Sequence, residues 1–466
     1  MTGYLLFAAM LLLVFLDLCG RIDLTETVFI LPLLLLSANV PMLVGWRYYD
    51  RPLFLWLLFI LYLWLRLNIL PLRDGRAPTL RLKVMIGGRF LVYRGLLALL
   101  VETLFIVATW QPLIAMGATS TLVTLNAVYG VCIGFFILWN GILRMFFTSR
   151  RLSVSRRVLM VVTMWIPLVN LWVLGLACRL VYEEYDFALY KQDLHLTRAD
   201  SDLCATRYPL VMVHGVLFRD LRWFNYWGRI PKELMRYGAR IFYGNQEAVG
   251  TVVNNAADIR TRILEIVEET GCEKVNIIAH SKGGLDARYC ISRLGMEGYV
   301  ASLTTLNSPH HGCRVIDVLI KIVPDGLYRA LGRIVDGIFK KIGDENPDFY
   351  TATRQFARAP SAYFNREVPD AEGVYYQSYM SRMKGPLSCK LLALPYLCIL
   401  PAEGKNDGLV AVEAAKWGEF RQLFESSGRR GIGHGDMIDL NREDYKGFDV
   451  METYVGIVSE LKARGF

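Results

Sequence analysis

Residues 274 to 290, which read KVNIIAHSKGGLDARYC, place a serine where an apolar run changes into a helical pattern. The apolar residues of 275 to 278 predict a buried strand, and the glycine pair 283–284 lets the backbone fold back sharply after Ser281. A strand, a tight turn and a helix in this order hold a serine hydroxyl at the C-terminal edge of a sheet. We therefore interpret Ser281 as a nucleophile on a strand-to-helix elbow, with Ala279 in place of the usual first glycine.

Chain order and the supply of histidines indicate a base and an acid for this serine. A serine hydroxyl needs a histidine within hydrogen-bond reach, and that histidine is held by a carboxylate. On elbows of this type the chain order is Ser, then Asp or Glu, then His. Of the six histidines only His434, in GIGHGDMI, lies beyond residue 311, so it is the candidate base. The run PYLCIL (395 to 400) predicts the preceding strand, which makes Asp407 in NDGLV the candidate acid and Glu403 the alternative.

Two backbone N–H groups are needed to stabilise the oxyanion of an attacked carbonyl group. One belongs to Lys282, the residue after the nucleophile, and its side chain is then incidental. The other should lie in the loop after the first predicted strand, where VHGVLF places Val216. We interpret His214 in the same loop as a structural residue, since His434 already supplies the base.

Strands and helices alternate from Tyr208 onward. The predicted strands cover 208 to 213, 239 to 244, 274 to 279 and 300 to 306, and the predicted helices cover 221 to 236, 253 to 270 and 283 to 294. This alternation predicts a mostly parallel sheet covered on both faces, with a site at the C-terminal ends of the strands. Together with the elbow and the order Ser, Asp, His, it predicts an α/β-hydrolase fold over residues 207 to 466.

The first 180 residues are of a different kind, because they contain six long apolar runs. These runs cover about 4 to 19, 27 to 46, 52 to 70, 95 to 115, 121 to 147 and 157 to 178. Most approach the roughly 20 residues needed to cross a bilayer. We therefore predict an N-terminal all-α transmembrane bundle of about six helices over 1 to 180, joined to the hydrolase domain by a linker over 181 to 206. Glu102 lies well inside a span, where either a functional contact, such as one to a lipid headgroup or an ion, or helix packing against Asn126, Asn140 or Asn170 would explain it.

Charge divides the chain at the same place. Residues 1 to 180 hold 16 Lys and Arg against 6 Asp and Glu, whereas residues 181 to 466 hold 36 against 37. The second part therefore offers no basic surplus to phosphates, and a nucleic-acid partner is not expected. The basic residues cluster between the third and fourth runs and between the fifth and sixth, which places those loops in the cytoplasm.

Six spans then predict an integral protein of a bacterial inner membrane with an extracytoplasmic, periplasmic catalytic domain. In that compartment disulfides could form, and Cys389 and Cys398 are a close pair in the sequence.

Six blocks of this chain resemble, in the same order, the bacterial triacylglycerol lipases of the Pseudomonas and Burkholderia type. The blocks are YPLVMVHGVLFRD, KVNIIAHSKGGLDARY, VASLTTLNSPHHG, FNREVPDAEGVYYQSY, NDGLV and GHGD, and they cover roughly 207 to 440. The resemblance implies the same site as the residues themselves do: Ser281, Asp407 and His434 as the triad, and Val216 and Lys282 as the oxyanion donors. The N-terminal bundle has no counterpart in those secreted lipases.

The same resemblance implies a structural calcium ion near the catalytic histidine, held by two aspartates and backbone carbonyls. Asp436 matches the later aspartate, whereas residues 378 to 402 contain no acidic residue to match the earlier one. We therefore expect no required cofactor and treat Asp436 as the one candidate calcium ligand.

These observations predict a membrane-bound serine esterase or lipase that acts on carboxylic esters of lipids. Two amphipathic stretches within about 312 to 343 predict an insertion that is either a mobile lid over an acyl pocket or a core-packed helix pair. One alternative function is an acyltransferase or phospholipid-remodelling enzyme with the same triad. Another is a non-catalytic membrane receptor or transporter with a degenerate hydrolase domain. The sequence indicates no particular protein partner.

Overall fold

The computed structural model of the chain forms two compact units, residues 1 to 197 and residues 198 to 466. It describes residues 2–19, 21, 23–24, 34–45, 51–71, 76–199, 201–218, 225–445 and 447–466. Some predictions lie partly outside these ranges, among them the start of the second apolar run and the start of the predicted helix at 221.

The N-terminal unit is helical. The helices that its described residues form are α1 (Thr2–Leu18), α2 (Val40–Gly45), α3 (Arg51–Asn68), α4 (Leu80–Ala115), α5 (Ser120–Thr148), α6 (Val154–Val162) and α7 (Pro167–Thr197). Helices α4 and α5 lie in close contact along glycines. A Cβ atom on Gly95 would stand 2.7 Å from the backbone nitrogen of Leu138, and one on Gly141 would stand 2.7 Å from that of Val92. Small residues permit such an approach between helices.

Two helices in the described part of this unit, α4 and α5, are long and apolar enough to cross a membrane. The bundle of about six transmembrane helices is therefore not established. The sixth apolar run is not one helix, because α6 ends at Val162 and a short 3-10 turn precedes α7. The break follows from Pro167, since Ile166 before it is extended, as residues that precede proline usually are.

Helix α7 continues without interruption to Thr197, so the first part of the predicted linker is helical. Glu102 is buried and accepts a hydrogen bond from Asn39 Nδ2 at 3.2 Å, while Asn126 Nδ2 donates to Asn39 Oδ1 at 2.5 Å. Glu102 is thus joined to Asn126 through Asn39, which agrees with a packing role.

The second unit is built on a parallel sheet. In the described residues its six strands are β1 (Leu210–Val213), β2 (Ile241–Tyr243), β3 (Val275–His280), β4 (Val300–Leu306), β5 (Tyr375–Ser381) and β6 (Glu419–Phe424). The strand order is β2-β1-β3-β4-β5-β6, and every neighbouring pair is parallel. From β1 the chain first adds β2 on one side and then returns to add β3 on the other side, so the order of strand addition reverses at β1. Sites on open parallel sheets form at such a switch point.

Helices cover both faces of this sheet. They are α8 (Ile230–Arg236), α9 (Val252–Thr270), α10 (Gly283–Arg293), α11 (Arg314–Ile322), α12 (Asp325–Ile342), α13 (Phe349–Arg354), α14 (Arg358–Glu367), α15 (Ala393–Glu403) and α16 (Val450–Ala463). Side chains alternate between the faces along each strand. On β1, Met212 packs in the core beneath α16, whereas Val211 and Val213 pack beneath α9 and α10. The mostly parallel, two-faced α/β architecture is therefore present.

The predicted strand at 395 to 400 is wrong, because this run lies in α15. A six-residue apolar run has no period that separates a strand from a helix. Here the leucines face outward: Leu394 is 73% exposed and Leu397 is 48% exposed. The strand that leads towards Asp407 is β5, and Met383, just after it, donates its backbone N–H to Asn406 O at 2.8 Å.

The insertion at 312 to 343 forms the helix pair α11 and α12, separated at Val323 and Pro324. It is not a core-packed pair, since α11 has no buried residue and α12 buries only Tyr328 and Gly332. The described cysteines, which include all nine, are free thiols, so Cys389 and Cys398 are not joined.

Candidate active site

Ser281 lies on the predicted elbow between β3 and α10. Its φ angle is +56°, in the left-handed region that residues other than glycine rarely adopt. The turn is held by the backbone N–H of Ser281, which donates to Leu306 O at 3.0 Å. It requires glycine at 283, where a Cβ atom would stand 2.5 Å from His214 O, and at 284, where it would stand 2.3 Å from Ser308 Oγ. The glycine pair thus brings the start of α10 directly against the loop after β1.

Asp407 and His434 form a buried pair. His434 Nδ1 lies 2.6 Å from Asp407 Oδ2, and the backbone N–H of His434 donates to Asp407 O at 3.0 Å. Asp407 is fully buried, and its Oδ1 accepts the backbone N–H groups of Leu409 and Val410 at 2.9 and 2.8 Å. These bonds to the charged form stabilise a carboxylate. The carboxylate in turn orients the His434 ring so that Nε2 is the free basic nitrogen.

His280 links this pair to the elbow. Its ring centroid is 4.6 Å from that of His434, and Ser281 is the next residue in the chain. The described residues show no hydrogen bond between Ser281 and His434 themselves. Serine and histidine therefore lie at the same edge of the sheet, while the bonded pair in this structure is that of Asp407 and His434. Such hydrogen bonds often tighten only when a substrate is bound.

The two candidate oxyanion donors lie on the segments that meet at the elbow. A Cβ atom on Gly215, just before Val216, would stand 2.9 Å from the Cβ atom of Ser281. Lys282 begins the first turn of α10. Within the described part of the chain, the backbone N–H groups of Val216 and Lys282 donate no hydrogen bond to a protein acceptor. Two free N–H groups beside a serine could receive an oxyanion.

His214 is placed as a structural residue. It is buried, with Nδ1 2.8 Å from Gly215 O and Nε2 3.0 Å from Gln246 O. Burial lowers the pKa of His214 to about 4, so the ring is neutral near pH 7. Glu403, the alternative acid, lies on α15 and pairs with Arg358 at 3.5 Å.

Asp436 does not offer a calcium site. Its Oδ1 accepts from the Arg430 guanidinium at 2.6 Å, and its Oδ2 accepts the backbone N–H of Gly433 at 2.8 Å. The Arg430 side chain already supplies a positive charge beside Asp436, and each carboxylate oxygen of Asp436 accepts a hydrogen bond. No group of three or more His, Cys, Asp or Glu side chains in the described ranges is arranged to hold a metal ion. The residues present therefore do not fit the group that the resemblance implies.

Three side chains at the site have contacts that were not expected from the sequence. Asn307 donates from Nδ2 to Asp407 Oδ2 at 2.5 Å and to Ser381 Oγ at 2.7 Å, so it fixes the acid from the end of β4. His280 packs on His434. The Lys282 ammonium, taken as incidental, lies buried between the two oxygens of Asp286, at 2.6 and 2.7 Å. A lysine and an aspartate four residues apart are the only sign of this pair in the sequence.

Comparison with known proteins gives relatives that are triacylglycerol lipases by name, although no family model matches the chain. Triacylglycerol lipase 2 of Saccharomyces cerevisiae is 26% identical over 269 residues, which are 53% of this chain and 77% of the relative. A triacylglycerol lipase of Burkholderia plantarii is 29% identical over 36% of this chain and 49% of its own length. One of Vibrio cholerae is 34% identical over 26% of this chain and 38% of its own length. The chain thus spans less than half of the two bacterial relatives.

Among solved structures, the mature form of the Bacillus licheniformis lipase BlEst2 is similar, with a TM-score of 0.42 and 19% identity. The similarity covers 55% of this chain and 92% of that one. The Legionella pneumophila phospholipase PlaB has a TM-score of 0.34 and 15% identity over 55% of this chain and 64% of its own. The three sequence relatives named above, each called a triacylglycerol lipase, show that this chain is a carboxylic ester hydrolase.

Proposed function

We propose that the chain is a membrane-bound serine esterase or lipase that hydrolyses carboxylic esters of lipids through an acyl-enzyme on Ser281. The observation that carries the proposal is the 2.6 Å hydrogen bond between His434 Nδ1 and Asp407 Oδ2, beside a strained elbow that presents a serine. The order Ser, Asp, His along the chain matches that of α/β-hydrolases.

The reaction follows from these positions. Ser281 Oγ attacks the ester carbonyl carbon, and its proton passes to His434 Nε2 while Asp407 stabilises the imidazolium. The N–H groups of Val216 and Lys282 stabilise the oxyanion that forms. The carbon–oxygen bond to the alcohol then breaks, and His434 returns the proton to the leaving alkoxide. Water then attacks the carbonyl carbon of the acyl-enzyme while His434 Nε2 takes its proton. The bond between the acyl carbon and Ser281 Oγ breaks, His434 returns the proton to Ser281, and the fatty acid is released.

Two observations support a lipid substrate. The relatives are named for their action on triacylglycerols, and apolar side chains are exposed on two helices of the catalytic unit. On α12, Leu327, Leu331, Ile334, Ile338 and Ile342 are each more than 40% exposed. On and before α15, Leu391 is 85% exposed and Leu394 is 73% exposed. Exposed apolar surface of this extent is typical of a surface that contacts lipid or another apolar partner. The helix pair α11 and α12 is accordingly proposed as a lid.

We also propose that the protein is attached to a membrane. Helices α4 and α5 support attachment to a membrane by length and composition. We propose an inner-membrane protein with a periplasmic catalytic unit, in line with the distribution of Lys and Arg in the first 180 residues.

The test is hydrolysis of short- and long-chain p-nitrophenyl esters by the full detergent-solubilised protein, beside Ser281→Ala. We expect the wild type to release p-nitrophenol and the variant to lose the activity, and a fluorophosphonate probe to label only the wild type. If Ser281→Ala retains the activity of the wild type, the proposed nucleophile is wrong. Product analysis separates a hydrolase from an acyltransferase, since only the hydrolase yields free fatty acid in equal amount to the alcohol.

A further inference from the structure

The buried ion pair of Lys282 and Asp286 joins the elbow to a wider polar network. Both side chains are about 1% exposed, and the Lys282 ammonium contacts both oxygens of Asp286. Asp286 Oδ2 also accepts from Asn255 Nδ2 on α9 at 3.1 Å. Because Lys282 starts α10 and Asp286 lies one turn later, the pair closes the first turn of the helix through side chains. The backbone N–H of Lys282 belongs to the same turn.

The network reaches the other oxyanion donor through residues 246 to 248. Asn255 Nδ2 donates to Glu247 O at 2.9 Å. The neighbouring Gln246 donates from Nε2 to His214 O at 3.0 Å. Ala248 O accepts the backbone N–H of Leu217, the residue after Val216, at 2.9 Å. Residues 246 to 248 thus hold the loop after β1 on one side and, through Asn255, the Lys282–Asp286 pair on the other.

Stability alone does not account for the pair. Taking two charges out of water has a desolvation cost that their attraction offsets only partly, and apolar replacements of similar volume are often neutral or stabilising. The position of the pair is the more informative fact, because its network touches both segments that carry a free N–H group. We propose that Asp286, acting through Lys282 and Asn255, is a positioning residue that holds the N–H groups of Val216 and Lys282 at one oxyanion site.

This inference rests on the proposed function, since it assumes acyl transfer at Ser281. It differs from a purely structural role in what it predicts for catalysis. A pair that only stabilises the fold would lower stability when it is broken and leave turnover at permissive temperature intact. A pair that positions two donors would lower kcat, because the donors act on the transition state, and would leave KM nearly unchanged.

The experiment compares Asp286→Asn, Lys282→Met and the double variant Lys282→Met/Asp286→Leu in the full detergent-solubilised protein. Each single variant leaves a buried polar or charged partner, so its Tm falls. The double variant removes both charges at similar volume, so its Tm should return towards that of the wild type. We expect kcat for a short p-nitrophenyl ester to stay about 10- to 100-fold below wild type in the double variant, with KM within about twofold. The rate of fluorophosphonate labelling should fall in parallel, since its phosphoryl oxygen needs the same donors.

A matched control is the exposed ion pair between Arg293, on the same helix, and Glu367, where the atoms lie 3.0 Å apart. Arg293→Met/Glu367→Leu should leave kcat and KM unchanged. Wild-type kcat in the folded double variant would overturn the positioning role. If the double variant does not fold, Asp286→Asn assayed well below its Tm decides in the same way: a lowered kcat with an unchanged KM supports the role, and an unchanged kcat overturns it. If the wild type shows no esterase activity, or if Ser281→Ala keeps the wild-type activity, the proposed function itself is wrong.

Discussion

The rings of His280 and His434 lie 4.6 Å apart and are inclined at 51° to one another. His280 is fully buried, and its Nδ1 is 2.7 Å from the hydroxyl of Tyr226. The residue directly before the nucleophile therefore packs against the candidate base, while a tyrosine fixes it from behind. This arrangement connects the elbow to His434 through ring packing, whereas no hydrogen bond joins Ser281 to His434 among the described residues.

We expect His280→Ala to lower kcat about 10-fold, because the His434 ring loses the surface that limits its movement. KM for a short soluble ester should change little. Tyr226→Phe is the matched control, since it keeps the aromatic packing and removes only the hydroxyl. It should lower the free energy of unfolding by about 1 to 3 kcal/mol through the unpaired imidazole nitrogen, with kcat within about twofold of wild type. Steady-state kinetics measure kcat and KM of the two variants, and thermal melts measure their stability. Wild-type kcat in His280→Ala would show that the contact between His280 and His434 has no catalytic effect.

Asp407→Asn should reduce kcat by about 10⁴, because an amide cannot stabilise the imidazolium and favours the wrong tautomer of His434. Glu403→Gln, the sequence alternative, should leave kcat unchanged, since its carboxylate pairs with Arg358 on a different element. Both variants are compared by kcat and KM with p-nitrophenyl esters. A large loss in Glu403→Gln with a small one in Asp407→Asn would reverse the assignment of the acid.

The two acids illustrate what the sequence could and could not predict. Ser281 lies 126 residues before Asp407, and His434 follows Asp407 by 27 residues, yet their chain order and a single late histidine were enough to choose all three as candidates. The supporting residues were not accessible in this way. Asn307 and His280 act through contacts between distant segments, and a lysine–aspartate spacing of four is ordinary on exposed helices, so it did not indicate burial. Short apolar runs failed for a different reason: the run at 395 to 400 has no distinguishing period, and Pro167 interrupts a run that hydropathy alone treats as continuous.

We expect chelation by EDTA to leave both the Tm and the esterase rate unchanged, because the Arg430 guanidinium already pairs with the Asp436 carboxylate. Arg430→Met should lower the free energy of unfolding by about 1 kcal/mol, discounted because the guanidinium is 31% exposed. Thermal melts with EDTA and with added calcium test the first expectation. A rise in the wild-type Tm on addition of calcium would contradict it.

Three buried histidines should make the catalytic unit sensitive to mild acid. Burial lowers the pKa of His214 to about 4 and the pKa values of His280 and His310 well below their ordinary value. The unfolded chain takes up protons on these side chains below about pH 6.5, whereas the folded chain does not. Stability is therefore full above about pH 6.5 and falls as the pH drops towards each folded pKa, by about 1.4 kcal/mol per pH unit for each histidine.

Melting curves of the wild type between about pH 7.5 and 4.5 measure this slope. His310→Asn should reduce it by the contribution of one proton, although the substitution also lowers stability at neutral pH, because His310 Nε2 lies 3.0 Å from Thr305 Oγ1. A slope equal to that of the wild type would show that His310 takes up its proton in the folded state.

Helix α12 exposes an apolar face. Ile334 is 61% exposed and Ile338 is 51% exposed, so Ile334→Ser/Ile338→Ser should change the free energy of unfolding by less than about 0.5 kcal/mol per site. Each isoleucine that meets an acyl chain or a lipid surface contributes up to about 1.5 kcal/mol of burial. We therefore expect hydrolysis of a long-chain ester in vesicles to fall about 10-fold or more, while hydrolysis of a short soluble ester stays at the wild-type rate. Ile334→Leu/Ile338→Leu, which keeps the apolar surface, should retain both activities. Equal losses on both substrates would mean that α12 supports the fold of the site and not the access of lipid to it.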